Sequence, residues 1–251
     1  MKSTYVAVTV LILSFGVNSV GRSQGEIEDG FVSLFNGKDL SGWTVPEGDN
    51  GHWKVVDGVI DYDAASEAAG DKNLWTEKEY GDFILKIDWR LKKTSGFYNV
   101  PVVLQDGTYL TDATGKKITI KTLNADSGVF LRGVGKAQLN IWCWPIGSGE
   151  VYGYRNNKDT APEVRAGVTP RINADNPVGE WNRFVVIMVG DRLTVMLNNQ
   201  LVIENAQLPD VPSSGKIALQ HHGGLNTDGT YKPASSLVQF RNVWIKELPT
   251  E

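Results

Sequence analysis

A single cysteine, Cys143, stands in 251 residues, so no intramolecular disulfide forms and the fold must be stable without one. Histidine is nearly as scarce: three residues, at 52, 221 and 222, make neither a Cys/His cluster with zinc spacing nor a His-x-x-x-His pair. No block of like charge exists and the net charge is −4, which argues against nucleic acid or an anionic membrane surface as the main partner. Neither a Gly-x-Ser-x-Gly elbow nor a phosphate loop is present, and Gly133-Val134-Gly135-Lys136 lacks the spacing of a nucleotide fingerprint. Helical periodicity is not sustained beyond about two turns, and no repeat, heptad or low-complexity tract appears. The one long apolar run, Tyr5 to Phe15 behind Lys2 and ahead of Ser19 and Gly21, has the length of a secretory h-region and is too short for a membrane span. Residues 1–24 are therefore expected to be a signal peptide, with the mature protein exported to the periplasm or the extracellular space and no stable membrane association.

What is abundant is glycine, 27 residues, and aromatics at 10%, the profile of many short strands joined by tight turns. Trp53 to Val56, Asp57-Gly58 and Val59 to Tyr62 predict a hairpin, and so do Arg192 to Leu197, Asn198-Asn199 and Leu201 to Ile203. Phe83, Leu85, Ile87 and Trp89 alternate with Ile84, Lys86, Asp88 and Arg90, a strand with one polar face. The continuous run Phe184 to Val189 predicts a strand covered on both faces, and Ile217 to His222 and Val238 to Ile245 supply two more. The segments 92–125 and 146–180 are long, polar loops of the kind that wall a cleft. The pattern is an antiparallel all-β sandwich, one domain over about 30–249.

The most informative stretch is Gln138-Leu139-Asn140-Ile141-Trp142-Cys143-Trp144, continuing through Glu150, Tyr152 and Arg155. Strand parity puts Gln138, Asn140, Trp142 and Trp144 on one face and Leu139, Ile141 and Cys143 on the other, toward a core. Cys143 thus reads as a packed thiol, not a nucleophile. Flat indoles beside bidentate amides suit a sugar ring, with its apolar C–H patches and hydroxyl rim, so Gln138, Asn140, Trp142, Trp144, Tyr152, Arg155 and Gln220 are candidate saccharide contacts.

Six ordered motifs resemble the 3-keto-disaccharide hydrolase family, DUF1080: Leu34-Phe35-Asn36-Gly37-Lys38-Asp39-Leu40-Ser41-Gly42-Trp43, Asp82-Phe83 through Asp88-Trp89-Arg90, Ser127 through Arg132, Gly179-Glu180-Trp181-Asn182, Leu219-Gln220-His221-His222-Gly223, and Phe240-Arg241-Asn242-Val243. The resemblance implies a concanavalin-like (glucanase-like) jelly roll, export, and cleavage of glycosides already oxidised to a ketone at C3. Where many members carry Glu-x-Gln, this chain has Gln138-Leu139-Asn140. The paired carboxylates of an ordinary glycosidase are absent from any one strand.

A C3 ketone acidifies the C2 proton, and the C1 substituent can then leave by elimination, followed by hydration. Such chemistry needs one base and one group to stabilise the enolate. His222 shares parity with Gln220, and histidine is the side chain suited to act as a base near neutral pH; His221 faces the other way. Arg132, sharing parity with Phe130, is the expected partner of the enolate oxygen, and Glu150 a second acid/base or a metal ligand. A divalent cation held by carboxylates and carbonyls is compatible with the fold; its ligands and the oligomeric state are not encoded legibly. The alternative reading is a non-catalytic carbohydrate-binding module of the same fold.

Overall fold

The computed structural model describes residues 30–249; the segment read as an export signal lies outside them. The first strands are β1 (Val32–Ser33), β2 (Trp43–Thr44), β3 (Lys54–Val56), β4 (Val59–Tyr62), β5 (Leu74–Tyr80) and β6 (Phe83–Leu91). Then follow β7 (Phe97–Pro101), β8 (Thr119–Leu123), β9 (Asp126–Phe130) and β10 (Gln138–Trp142), and two short helices, α1 (Tyr152–Arg155) and α2 (Pro162–Gly167). The chain ends with β11 (Asn182–Val189), β12 (Arg192–Leu197), β13 (Gln200–Gln207), β14 (Gly215–Leu219) and β15 (Val238–Glu247).

Two large antiparallel sheets result, beside a two-stranded one of β7 and β8. One runs β13-β12-β11-β6-β15-β4-β3, with β1 added beside β15; the other runs β10-β9-β14-β5-β2. The strands meet their partners through the turns the sequence dictates. Asp57 (φ 51°) and Gly58 (φ 76°) close β3 on β4, and Asn198 (φ 52°) and Asn199 (φ 64°) close β12 on β13, each pair in the left-handed region that a two-residue hairpin requires. Between the sheets Phe83, Leu85, Ile87, Trp89, Phe184, Val186 and Met188 face Leu74, Val129, Leu131, Leu139, Ile141, Ile217 and Leu219, all essentially inaccessible.

Three expectations change. β11 is covered on one face only: Val185 and Ile187 are half-buried and Val189 is exposed. The reason is register, since Val185 and Ile187 lie opposite Lys86 and Ile84 of β6, on the outward face of that strand, where apolar residues share the surface with long charged side chains. The segment 92–125 is not all loop but contains the β7–β8 hairpin, and 146–180 contains α1 and α2. Both segments sit at the β10 side of the five-stranded sheet.

Candidate functional site

In an antiparallel pair, residues directly opposite share a face, so the registers of the five-stranded sheet can be read as rows across its outer side. Gln138, Phe130, Ala218 and Trp75 form one row. A second comes from Asn140 opposite Gly128. It extends on one side to Gln220, whose N–H donates to the Gly128 carbonyl at 2.9 Å, and on the other to Glu150, whose carbonyl accepts from the Asn140 N–H at 2.9 Å. The third row is Trp142 opposite Asp126. β14 ends at Leu219, and past Gln220 a gap separates the backbone of His222 from that of Asp126. The Ser236 hydroxyl spans that gap, accepting from the His222 N–H at 2.9 Å and donating to the Asp126 carbonyl at 2.8 Å.

The amides are locked to one another. Gln138 Nε2 donates to Asn140 Oδ1 and to Gln220 Oε1, both at 2.7 Å, and Gln220 Nε2 returns a bond to Gln138 Oε1 at 3.2 Å. Only glycine permits this at 128: a Cβ there would stand 2.7 Å from Gln138 Nε2, inside van der Waals contact. Trp142 stacks on Trp144 at 4.1 Å and meets Tyr152 edge-on at 6.3 Å. Its indole N–H donates to the Gly147 carbonyl at 2.8 Å, and that of Trp144 donates to the Tyr98 hydroxyl of β7 at 2.7 Å. Leu139 and Ile141 occupy the opposite, core side, and Cys143 packs half-buried at the rim of that core; burial pushes its thiol up to about 12, an inert packing thiol at neutral pH. The amide face is more enclosed than an open cleft: Asn140 and Trp142 are 3% exposed.

His222 is half-buried, and its Nδ1 lies 2.6 Å from the Ala234 carbonyl. A carbonyl can only accept, so Nδ1 carries the proton and Nε2 presents a lone pair. His221 turns the other way, to the Tyr62 hydroxyl at 2.6 Å. Burial, aided by Lys72 and His222, lowers it to about 4, so it is a neutral hydrogen-bond acceptor at physiological pH.

Two of the three expected catalytic residues are engaged elsewhere. Arg132 does not reach the amide face. β9 ends at Phe130 and Arg132 adopts φ 50°, which breaks the strand parity on which its assignment rested. Its guanidinium donates to the carbonyls of Gly81 (3.0 Å), Gly190 (2.6 Å) and Pro212 (2.9 Å) and to Asp82 Oδ1 (2.7 Å), tying three turns together, and it pairs with Asp82, not with Asp88 or Asp126. Arg132→Ala should cost about 3–5 kcal/mol of stability by leaving Asp82 and three carbonyls without their donor, while the folded fraction keeps its activity. Thermal melting beside activity per folded molecule checks this. Glu150 is no solvated loop acid: it is fully buried against Arg155 in a salt bridge. Arg155, in turn, is 2% exposed and lies 4.8 Å from the Tyr109 ring and 5.5 Å from Tyr152, so it is enclosed by the protein and not open to a sugar.

The residue that sequence reasoning missed is Asp126. Its Oδ1 is buried and accepts no hydrogen bond among the described residues, and burial pushes its carboxyl up to about 8. It is therefore a neutral acid at pH 7, in the row of Trp142, and its backbone carbonyl is joined to the His222 N–H through the Ser236 hydroxyl. No group of three or more His, Cys, Asp or Glu side chains gathers to hold a metal among the described residues.

Residues 30–246 match the 3-keto-alpha-glucoside-1,2-lyase-like domain. The chain belongs to that family. Among curated proteins none matches it. Two crystal structures, each of a "putative glycosyl hydrolase" from Parabacteroides distasonis ATCC 8503, share its fold at 21% identity. They cover 88% of this chain with TM-scores of 0.53 and 0.51, and 84% and 94% of their own chains. The lyase-like domain is thus a jelly-roll sandwich, and the rows of Asp126 and of the amides are its candidate centre.

Proposed function

We propose that this chain is an exported enzyme that cleaves glycosides whose sugar carries a ketone at C3, by abstraction of the C2 proton and elimination across C1–C2. The observation that carries the reading is the buried, unpartnered Oδ1 of Asp126 on a strand whose backbone the Ser236 hydroxyl ties to that of His222, a histidine with its Nδ1 held by the Ala234 carbonyl. His222 Nε2 takes the C2 proton. The C–H electron pair becomes the C2–C3 double bond and the carbonyl pair moves onto oxygen. Neutral Asp126 donates a hydrogen bond to that oxygen as charge gathers, the use to which a carboxylic acid kept protonated by an apolar site is suited. The enolate then collapses: C3=O re-forms, a C1–C2 double bond appears, and the C1–O bond breaks with its pair going to the leaving oxygen, which takes the proton back from His222. Addition of water to C1 of the unsaturated ketone would complete hydrolysis. Gln220, the half-buried member of the amide cluster, meets the ring hydroxyls, while Gln138 holds it in place and the buried Trp142 backs the Trp144 indole.

The export segment supports a site of action outside the cytoplasm, where oxidised glycosides would arrive from another oxidoreductase. The deciding experiment incubates the mature protein with methyl 3-keto-α-glucoside beside methyl α-glucoside. The ketone should be cleaved and the parent left intact, since only a C3 ketone acidifies the C2 proton that the reaction removes. Equal turnover of the two would reject the reading.

A further inference from the structure

The outer side of the five-stranded sheet continues beyond the amide face. Trp75 stands in the row of Gln138, three strands away, with Phe130 and Ala218 between. Its ring lies parallel to Phe130, 16° between planes and 5.7 Å between centroids, and its N–H donates to Asp71 Oδ2 at 2.6 Å. These contacts fix a half-exposed indole in one orientation. A shallow depression of ≈ 500 Å³ opens beside it, walled by Thr44, Glu79, Ser214 and Lys216. Register explains the grouping: Thr44 lies opposite Trp75, and Lys216 opposite Glu79, so all project from the same face. Four residues separate Asp126 from Phe130 along β9, about 14 Å, and two strand spacings separate β9 from β5, about 10 Å.

We propose that this depression is a distal saccharide subsite, in which an unoxidised pyranose ring of a substrate longer than a disaccharide stacks on Trp75. Its hydroxyls meet the Thr44 and Ser214 hydroxyls, the Glu79 carboxylate and the Lys216 ammonium. A pre-oriented indole rimmed by donors and acceptors is the combination a sugar requires. An aromatic leaving group would use the indole but leave four polar side chains without partners. Binding at a distance from the reacting carbons is a source of energy for orienting them. The inference deepens the proposed reaction and rests on it for the bound ring being part of a substrate.

Two variants test it. Trp75→Ala removes the platform, and Ser214→Trp fills the depression from an exposed loop position without touching the core, so that a folding defect in the first does not decide the matter. Binding of maltotriose and of cellotriose to the mature protein is followed by calorimetry. At least one should bind, and both variants should weaken it about tenfold. In the kinetic arm, the 3-keto derivative of that trisaccharide should show a KM about tenfold higher in either variant, with kcat/KM for methyl 3-keto-α-glucoside within twofold of the parent. If neither trisaccharide binds, if Ser214→Trp binds as tightly as the parent, or if only phenyl glucoside binding is lost, the subsite is wrong. If no 3-keto substrate is cleaved at all, the reaction fails while the calorimetry still decides the subsite.

Discussion

His222→Ala should lower the rate of 3-keto-glycoside cleavage by about 10² to 10⁴, the usual cost of removing a positioned general base, while the protein stays folded. The ring is held by its Nδ1 proton on the Ala234 carbonyl, which leaves Nε2 as the acceptor for the C2 proton. The backbone contact that ties this loop to β9, the His222 N–H to the Ser236 hydroxyl, survives the substitution, so circular dichroism should be unchanged. The neighbouring His221→Ala provides the contrast. That ring accepts from the core tyrosine Tyr62, and its loss should lower the melting temperature yet leave kcat per folded molecule within a few-fold. Full activity in His222→Ala, or an equal kinetic loss in both variants, would remove His222 as the base.

The sandwich, the two hairpins and the core face of β10 were legible because alternation and turn chemistry are local properties: Leu139 and Ile141 are in the core and Gln138, Asn140 and Trp142 on the other face, as parity required. Parity is valid only while the strand lasts. It carried Arg132 onto the functional face because Phe130 is there, but the chain turns left-handed at Arg132, and the side chain leaves toward Asp82. Run the opposite way along the same strand, from Phe130 through Gly128, parity leads to Asp126, whose importance comes from what is missing around it. A carboxyl's partners are set by non-local packing, and no spacing in the sequence reveals that Oδ1 has none. Glu150 and Arg155 fail for the complementary reason. A short edge pairing with Asn140 and one turn of helix bring them together, and that contact buries an expected acid/base and an expected saccharide contact against each other.

Asp126 should give the second large effect, and its signature combines rate with stability. Asp126→Ala should cost about 10² to 10³ in rate, the usual loss for one oxyanion donor. Asp126→Asn still presents an N–H and should lose less. In the parent enzyme the acid must be protonated, so the rate should fall as pH rises through about 8, and Asp126→Asn should lack that alkaline limb. The folded carboxyl titrates above its ordinary value of 3.8. Between about 4 and about 8 the native protein therefore holds a proton that the unfolded chain has released, and stability declines with rising pH across that window, levelling off above it. Both substitutions remove this slope. Their melting temperatures should exceed the parent's at pH 8 and approach it near pH 4, with a stabilisation on the order of a few kcal/mol at the alkaline end. A group that weakens the fold while speeding the reaction is what a site under functional constraint contains. Full activity in Asp126→Ala, or a stability difference that does not change between pH 4 and pH 8, would show that the carboxyl is neither the acid nor protonated in the native protein.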